Sequence, residues 1–257
     1  MRVLFIGDVV GGVGLRALLA RLPDLREAHR PDVVVVNAEN AASGAGTSPR
    51  QARDLLEAGV DVLTGGNHTL QKRELYPMLQ AEPRVLRPAN IAVDAPGSGS
   101  VTVETPAGRV GVVNVMGSVF MTAAHSPFAV IDDLVEQARR TSDAVLVDVH
   151  AEATSEKIAL GWHLDGRVAA VVGTHTHVQT ADARVLPGGT AYLTDLGMTG
   201  PHDSVIGVRT DVILRRFLTG SPGRFEPADE NVLVQGAVVE IGADGRARSI
   251  ETISVPG

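Results

Sequence analysis

The sequence has 257 residues, of which 44% are hydrophobic and 21% are charged, a composition typical of a globular protein with a large core. Its formal net charge of −7 argues against binding to polymeric nucleic acid, and the absence of cysteine excludes disulfides and thiolate metal sites. No apolar run has the length of a signal peptide or a membrane span, so we expect a cytoplasmic protein that does not associate with membranes.

The first half of the chain alternates short apolar runs with helical patterns. The runs are nearly continuous in apolar residues, which is typical of strands that are covered on both faces. This rhythm predicts parallel β-α units in the order strand 2–7, helix 14–30, strand 32–38, helix 48–59, strand 60–66 and helix 70–81.

The second half opens with an alternating segment, 99–116, whose central "PAGR" predicts a hairpin turn. A second hairpin is predicted at 231–255, with "ADGR" at its turn. The chain contains no repeat, low-complexity stretch or linker, so we predict one α/β domain over residues 1–257. Between the hairpins the earlier rhythm returns as helix 128–141, strand 143–150, helix 154–164 and strand 167–175.

Polar residues collect at the carboxyl ends of five predicted strands. Open α/β sheets bind ligands beyond those ends, so the five segments are expected to deliver polar groups to one edge. Each residue taken alone has a plain structural interpretation, such as a helix cap, a turn residue or a core histidine, but five coincidences at one edge favour a site. The candidates are Asp8, Glu39, Asn40, Asn67, His68, His150, His175 and His177.

The spacing of His175 and His177 is typical of metal ligands. Side chains of an extended segment point the same way at every second residue, so we predict that the two imidazoles converge. Carboxylate, imidazole and amide ligands suit Mn, Fe or Zn, and seven ligand candidates favour two ions that share a carboxylate. The segment "GDVVGGVG" offers a competing phosphate loop, but its spacing fits neither the dinucleotide fingerprint nor the P-loop.

The ordered motifs GD, NAEN, GNH, H and GTHTH resemble the calcineurin-like metallophosphoesterases. Longer segments, including "NAENAASGAG" and "YLTDLGMTGPHDSVIG", are similar to the YmdB-like branch of that superfamily, the 2′,3′-cyclic-nucleotide 2′-phosphodiesterases. The similarity covers nearly the whole chain. It implies a calcineurin-like αββα sandwich of two mixed sheets flanked by helices, with a dinuclear metal centre at the strand ends.

The resemblance implies a role for every candidate. His68 matches the general acid that protonates the leaving oxygen, and Glu39 matches the carboxylate that bridges two metal ions. The remaining residues match metal ligands in two sets, Asp8, Asn40 and His177 for one ion and Asn67, His150 and His175 for the other.

The chain departs from the wider superfamily at three positions. Glu39 stands where the bridging residue is usually an aspartate. Val10 stands where a histidine ligand is usual, and Asn40 is the expected replacement. Thr69 stands where an acidic residue is usual, which leaves open what orients His68.

These features predict a phosphodiesterase that hydrolyses cyclic nucleotides, with 2′,3′-cyclic phosphates as the class that the resemblance favours. We expect two transition-metal ions, Fe or Mn in preference to Zn or Mg, a small-molecule phosphoester substrate, and a homo-oligomer. Two alternatives are open, namely a phosphomonoesterase that acts on small phosphorylated metabolites, and a metal-binding signalling protein with little turnover.

Two further residues have open roles. Asp148 faces the same side of its strand as His150 and is either an acceptor for a ligand or a partner of a neighbouring loop. His202 lies in one of the segments that resemble the YmdB-like branch and is a candidate to approach the substrate. His29, His125 and His163 are assigned to no site.

Overall fold

The structure, a computed structural model, describes residues 1–92, 94–221 and 226–257. Within these residues six α-helices accompany thirteen strands and three short 3-10 turns, Thr69–Gln71, Arg73–Leu75 and Pro127–Ala129. The helices are α1 (Gly11–His29), α2 (Pro49–Glu57), α3 (Tyr76–Ala81), α4 (Ile131–Thr141), α5 (Thr154–Leu164) and α6 (Thr210–Thr219). The strands are β1 (Arg2–Ile6), β2 (Asp8–Val9), β3 (Val33–Asn37), β4 (Val62–Thr64), β5 (Ser100–Thr105), β6 (Gly108–Met116), β7 (Ala144–His150), β8 (Ala170–Thr174), β9 (Arg184–Val185), β10 (Ala191–Leu193), β11 (Met198–Pro201), β12 (Val232–Ile241) and β13 (Ala247–Pro256).

The strands form two mixed sheets. Sheet one has the order β2-β11-β12-β1-β3-β4, with β13 also paired to β12, and sheet two has the order β5-β6-β7-β8-β10-β9. Strands β1, β3 and β4 run parallel, as do β6, β7, β8 and β10. The carboxyl ends of both parallel sets therefore present loops that can meet at one edge of the molecule.

The sheets pack face to face with helices outside them. On β1, Val3 and Phe5 point into the core between the sheets, whereas Leu4 and Ile6 pack beneath α1. On β7, Leu146 faces the same central core, and its neighbours Val145 and Val147 pack against α4 and α5. Because both faces of these strands are covered, their sequences are continuously apolar. The predicted αββα sandwich is confirmed.

Most predicted elements are present, but two differ from the prediction. Helix 154–164 and both hairpins are found at the expected places. The segment predicted as helix 70–81 contains two 3-10 turns followed by the short helix α3, which has Pro77 in its first turn, where a missing N–H is tolerated. The strand predicted at 167–175 ends at Thr174, one residue before His175.

None of the helices in the described ranges is both long enough and apolar enough to cross a membrane.

Candidate metal centre

The structure brings all eight candidate residues together at the edge where the two sheets meet. Sheet one contributes Asp8 from β2 and the residues that follow β3 and β4, namely Glu39, Asn40, Asn67 and His68. Sheet two contributes His150, the last residue of β7, and His175 and His177, which follow β8. The candidate site is therefore assembled from the loops of both layers.

One group of side chains surrounds the Nε2 atom of His150. Asn67 Oδ1 lies 3.0 Å from this nitrogen, His175 Nδ1 lies 3.1 Å away, and Glu39 Oε1 lies 3.1 Å away. The ligand atoms of Glu39, His150 and His175 all lie within 4.8 Å of one another. This spacing leaves room for one cation among them.

A second group surrounds the Nε2 atom of His177. Asn40 Nδ2 lies 3.1 Å from it and Asp8 Oδ1 lies 3.7 Å from it. Asp8 Oδ1 is also 3.9 Å from His150 Nδ1, so the two groups adjoin. The two groups contain the residues of the two ligand sets that the sequence resemblance implies, but Asn40 turns its amide nitrogen toward His177 and its oxygen toward His68.

The His-Thr-His segment reaches the two groups by a route that the sequence did not predict. We expected an extended segment with both imidazoles pointing the same way, and that prediction is wrong. His175 has φ 99° and His177 has φ 63°, so both lie in the left-handed region that non-glycine residues rarely adopt. The chain bends at these residues, and each ring enters a different group.

The outer nitrogens of two ligand-candidate histidines, His150 and His177, are hydrogen-bonded to acceptors, and that of His175 lies close to a carboxylate. His177 Nδ1 donates to the carbonyl oxygen of Ile206 at 2.8 Å, and His175 Nε2 faces Glu152 Oε2 at 3.1 Å. His150 Nδ1 lies 2.9 Å from Thr174 Oγ1, and the hydroxyl proton of Thr174 goes to Asp148 Oδ1 at 2.8 Å, so the hydroxyl must accept from the imidazole. The inner nitrogens, His150 Nε2, His175 Nδ1 and His177 Nε2, are therefore the ones that can offer lone pairs to an ion once the imidazoles are neutral.

Two buried carboxylate oxygens at this centre lack hydrogen bonds. Among the described residues, Asp8 Oδ1 and Glu39 Oε1 have no partner with acceptable geometry, although imidazole nitrogens lie close to both. Buried carboxylate oxygens without hydrogen bonds are costly unless an ion completes them. Together with three inward imidazole nitrogens and no thiolate, this donor set fits divalent transition metals.

The two carboxylates differ in pKa because they differ in contact with the imidazoles. Burial raises the pKa of Asp8 to about 6, although His177 and His150 oppose the shift. Burial alone would raise the pKa of Glu39 as well, but His150 and His68, at 3.1 and 3.2 Å, lower it well below its usual value.

The two facing imidazoles have opposite shifts. Burial alone would lower the pKa of His150, but the Glu39 carboxylate outweighs burial and raises it to about 9. Burial and the neighbouring positive His150 lower the pKa of His175 to about 3. The metal-free centre therefore holds one proton on His150 at neutral pH.

Asp148 lies behind His150 and joins the two sheets. Its carboxylate accepts a hydrogen bond from Thr174, whose hydroxyl in turn accepts from His150. It also accepts hydrogen bonds from Thr64 at 2.5 Å and from Asn37 at 3.1 Å, the last residues of β4 and β3 in the other sheet. Asp148 thus supports His150 through Thr174, and its other partners are strand-end residues of sheet one, where the sequence had suggested a neighbouring loop. Asn37, which sequence reasoning had not singled out, is the first residue of the "NAEN" motif.

The conformation of the turn that carries Asn67 and His68 is fixed by hydrogen bonds and close contacts with neighbouring residues. His68 Nδ1 donates to Asn40 Oδ1 at 2.8 Å, so Asn40 is the residue that orients His68 and leaves its Nε2 free. Thr69, in the place of the usual acidic residue, accepts from the N–H of Gly66 at 2.8 Å. A Cβ at Gly66 would lie 2.2 Å from both Glu39 Oε2 and His150 Nε2, which explains why glycine stands there.

A buried ion pair anchors the bend at 175–177. Lys157 Nζ lies 2.7 Å from Asp195 Oδ2, and both side chains are almost fully buried. The same oxygen accepts from the N–H of Thr176 at 3.1 Å and from its hydroxyl at 2.7 Å. Sequence reasoning missed this pair. The available signal was a lysine in α5 and an aspartate in the "YLTDLG" segment.

The centre opens into a cleft of about 690 Å³, a volume typical of small-molecule sites. His68, Asn40, Glu152 and both histidines of the bend line its polar side. His202 does not line the cleft within the part of the chain that the structure describes, and its Nδ1 donates to the carbonyl oxygen of Gly200. His163, near the end of α5, pairs with Asp132 at the start of α4 and does not line the cleft, in agreement with its assignment to no site.

Comparisons with known proteins agree on one family. Residues 4–253 match the profile of the family described as "YmdB-like protein". The chain is 44% identical to a Bacillus subtilis protein named 2′,3′-cyclic-nucleotide 2′-phosphodiesterase, over 94% of this chain and 91% of that protein. A crystal structure of a hypothetical protein from Thermus thermophilus has 45% identity and a TM-score of 0.93, covering 100% of this chain and 99% of the other. The crystal structure of a novel phosphatase from Mycoplasma pneumoniae has 35% identity and a TM-score of 0.93, covering 100% and 93%.

Proposed function

Because this chain belongs to the YmdB-like protein family, we propose that it is a metal-dependent phosphodiesterase that hydrolyses nucleoside 2′,3′-cyclic phosphates. The observation that carries this proposal is the arrangement of the three histidines. The outer nitrogens of His150 and His177 are held by hydrogen-bond acceptors, Glu152 lies 3.1 Å from the outer nitrogen of His175, and all three inner nitrogens face the centre. Histidine ligands of metal ions typically have this arrangement, and core histidines have no need of it.

The proposal assigns a role to each side chain. Asp8, Asn40 and His177 would hold one divalent ion, Asn67, His150 and His175 would hold the other, and Glu39 would contact both. When bound, the two ions supply Lewis acidity to the phosphoryl group and lower the pKa of water. Fe or Mn is the expected pair, because the donors are carboxylate, imidazole and amide oxygen.

His68 is proposed as the general acid. Its Nδ1 proton is committed to Asn40, so Nε2 is the ring nitrogen available to a substrate in the cleft. From there His68 donates a proton to the departing ribose oxygen, which is a poor leaving group as an alkoxide. In a cyclic phosphate that oxygen stays tethered, which keeps it near His68 during cleavage.

The test compares wild-type protein with His68→Ala, using adenosine 2′,3′-cyclic phosphate and bis-p-nitrophenyl phosphate. His68→Ala should slow hydrolysis of the nucleotide by roughly 10² to 10⁴. The aryl diester should lose far less activity, because p-nitrophenolate leaves without protonation. Elemental analysis should find two metal ions per chain in both proteins.

Three results would contradict parts of the proposal. Loss of metal from His68→Ala would make His68 a ligand, and equal slowing of both substrates would make it a phosphate-positioning group. A wild-type protein that cleaves p-nitrophenyl phosphate but neither diester would be a phosphomonoesterase.

A further inference from the structure

Part of the cleft lining is apolar. We use the name apolar wall for Ala45, Ile206, Val208 and Pro227, four partly or largely exposed residues that line the cleft. None of the proposed catalytic roles uses these residues. The wall is fixed in place next to the centre, because the Ile206 carbonyl accepts the Nδ1 proton of His177 at 2.8 Å.

Ile206 has an unusual conformation for its residue type. Its φ is 47°, a left-handed value that is a clear outlier for a β-branched residue. The surrounding turn holds it there, through hydrogen bonds between Val205 and Val208 and from the Gly207 N–H to Ser204 Oγ. In this conformation its side chain is 52% exposed. Strained backbone of this kind is concentrated at ligand-binding sites.

We propose that the apolar wall is the subsite for the base of the cyclic nucleotide, an inference that rests on the proposed function. A nucleoside cyclic phosphate combines a charged phosphoryl group with a flat, largely apolar base on the same ribose. With the phosphoryl group at the metal centre, the base reaches the wall beside His177. Apolar contact is available to every base, so we expect purine and pyrimidine nucleotides to be accepted alike.

The test uses two substrates that share one reacting group, adenosine 2′,3′-cyclic phosphate and methyl ribofuranoside 2,3-cyclic phosphate, which has no base. For wild-type protein the nucleotide should have the higher kcat/KM. Ile206→Asn keeps a residue that tolerates left-handed φ but removes the apolar side chain. It should lower the ratio of the two kcat/KM values about tenfold, mainly through the KM of the nucleotide.

Phe120→Asn is the matched control. Phe120 also has a left-handed φ, 62°, and is 91% exposed, but it does not line the cleft. Its replacement should leave the ratio of kcat/KM values unchanged. Metal content and melting temperature of each variant establish that the centre is intact.

The outcomes separate this inference from the proposed function. Hydrolysis of both substrates with equal kcat/KM, or an unchanged ratio in Ile206→Asn, would overturn the base subsite while the phosphodiesterase proposal stands. Equal slowing of both substrates in Ile206→Asn would also overturn it, since Ile206 would then act through His177. Failure of the wild-type protein with its metals to cleave either substrate would overturn the proposed function and this inference with it.

Discussion

At the scale of single residues, Gly66 shows how closely the proposed ligands are packed. A methyl group there would lie 2.2 Å from Glu39 Oε2 and from His150 Nε2. Alanine has no alternative rotamer that could relieve these contacts. Gly66→Ala should therefore displace both side chains and leave the protein with fewer than two metal ions per chain, as measured by elemental analysis. Gly12→Ala is the control, because its added carbon would meet only the flexible end of Arg16 at 3.3 Å. Equal metal content in both variants would contradict the proposed ligand set.

The pKa values of the metal-free centre predict how metal binding depends on pH. His150, with a pKa of about 9, is protonated at neutral pH and must lose that proton to become a ligand. The affinity for Mn²⁺ should therefore rise with pH, by up to about tenfold per pH unit between 7 and 9. Below pH 6 the dependence should steepen, because Asp8, with a pKa of about 6, becomes protonated as well.

Calorimetric titrations in buffers with different ionisation enthalpies measure the proton release directly. About one proton should be released per chain at pH 7.5. Binding without proton release at that pH would show that His150 is neutral in the metal-free protein or is not a ligand.

At the scale of elements, the buried Lys157–Asp195 pair connects α5 to the bend after β8. Lys157→Met leaves a buried carboxylate without its cation, so we expect a loss of about 3–5 kcal/mol in the free energy of unfolding. The bend should also lose its anchor at Thr176, and Mn²⁺ should bind more weakly.

The matched control for this pair is Arg248→Met, which breaks an exposed ion pair with Asp244. Its cost in the free energy of unfolding should be far smaller than that of Lys157→Met, because water screens exposed ion pairs, and metal binding should be unaffected. Urea unfolding of the metal-free proteins and Mn²⁺ titration of the folded ones measure the two effects separately. Wild-type Mn²⁺ affinity in Lys157→Met would show that the bend does not depend on the pair.

The bend at 175–177 is the part of the candidate site whose backbone could not be predicted from the sequence. Strands such as β7 and β8 were predictable because burial on both faces produces continuous apolar runs, and their carboxyl ends placed the polar residues at one edge. The backbone of His175 and His177 was not predictable, because Asp195, which holds Thr176 between them, lies some twenty residues away along the chain. Strand β2 was missed for a similar reason, since two residues paired with Met198 and Thr199 carry no periodicity.

At the scale of the whole molecule, each proposed metal ion has ligands from both sheets. Asp8 and Asn40 come from sheet one and its loops and His177 from a loop of sheet two, and the other ligand set also draws on both sheets. Metal binding should therefore link the two sheets and stabilise the folded protein. At a free metal concentration a hundredfold above Kd, each ion contributes about 2.7 kcal/mol, which corresponds to a rise in Tm of roughly 5–10 °C per ion.

Calorimetric scans with and without a chelator check this effect. Wild-type protein should show the full decrease in Tm on chelation. Glu39→Gln, which lacks the carboxylate proposed to contact both ions, should show little change. An equal decrease in both proteins would mean that the chelated metal binds elsewhere.

The strand order of sheet one has a consequence for biosynthesis. Its central pair joins β1 at the start of the chain to β12 near the end, with Val3 opposite Val239. Sheet two, in contrast, is made entirely from the continuous stretch between β5 and β10. During translation the second layer can form once β10 has been made, whereas the first layer cannot close until β12 has been made. The candidate metal centre takes residues from both sheets, so it should form only after the first layer has closed.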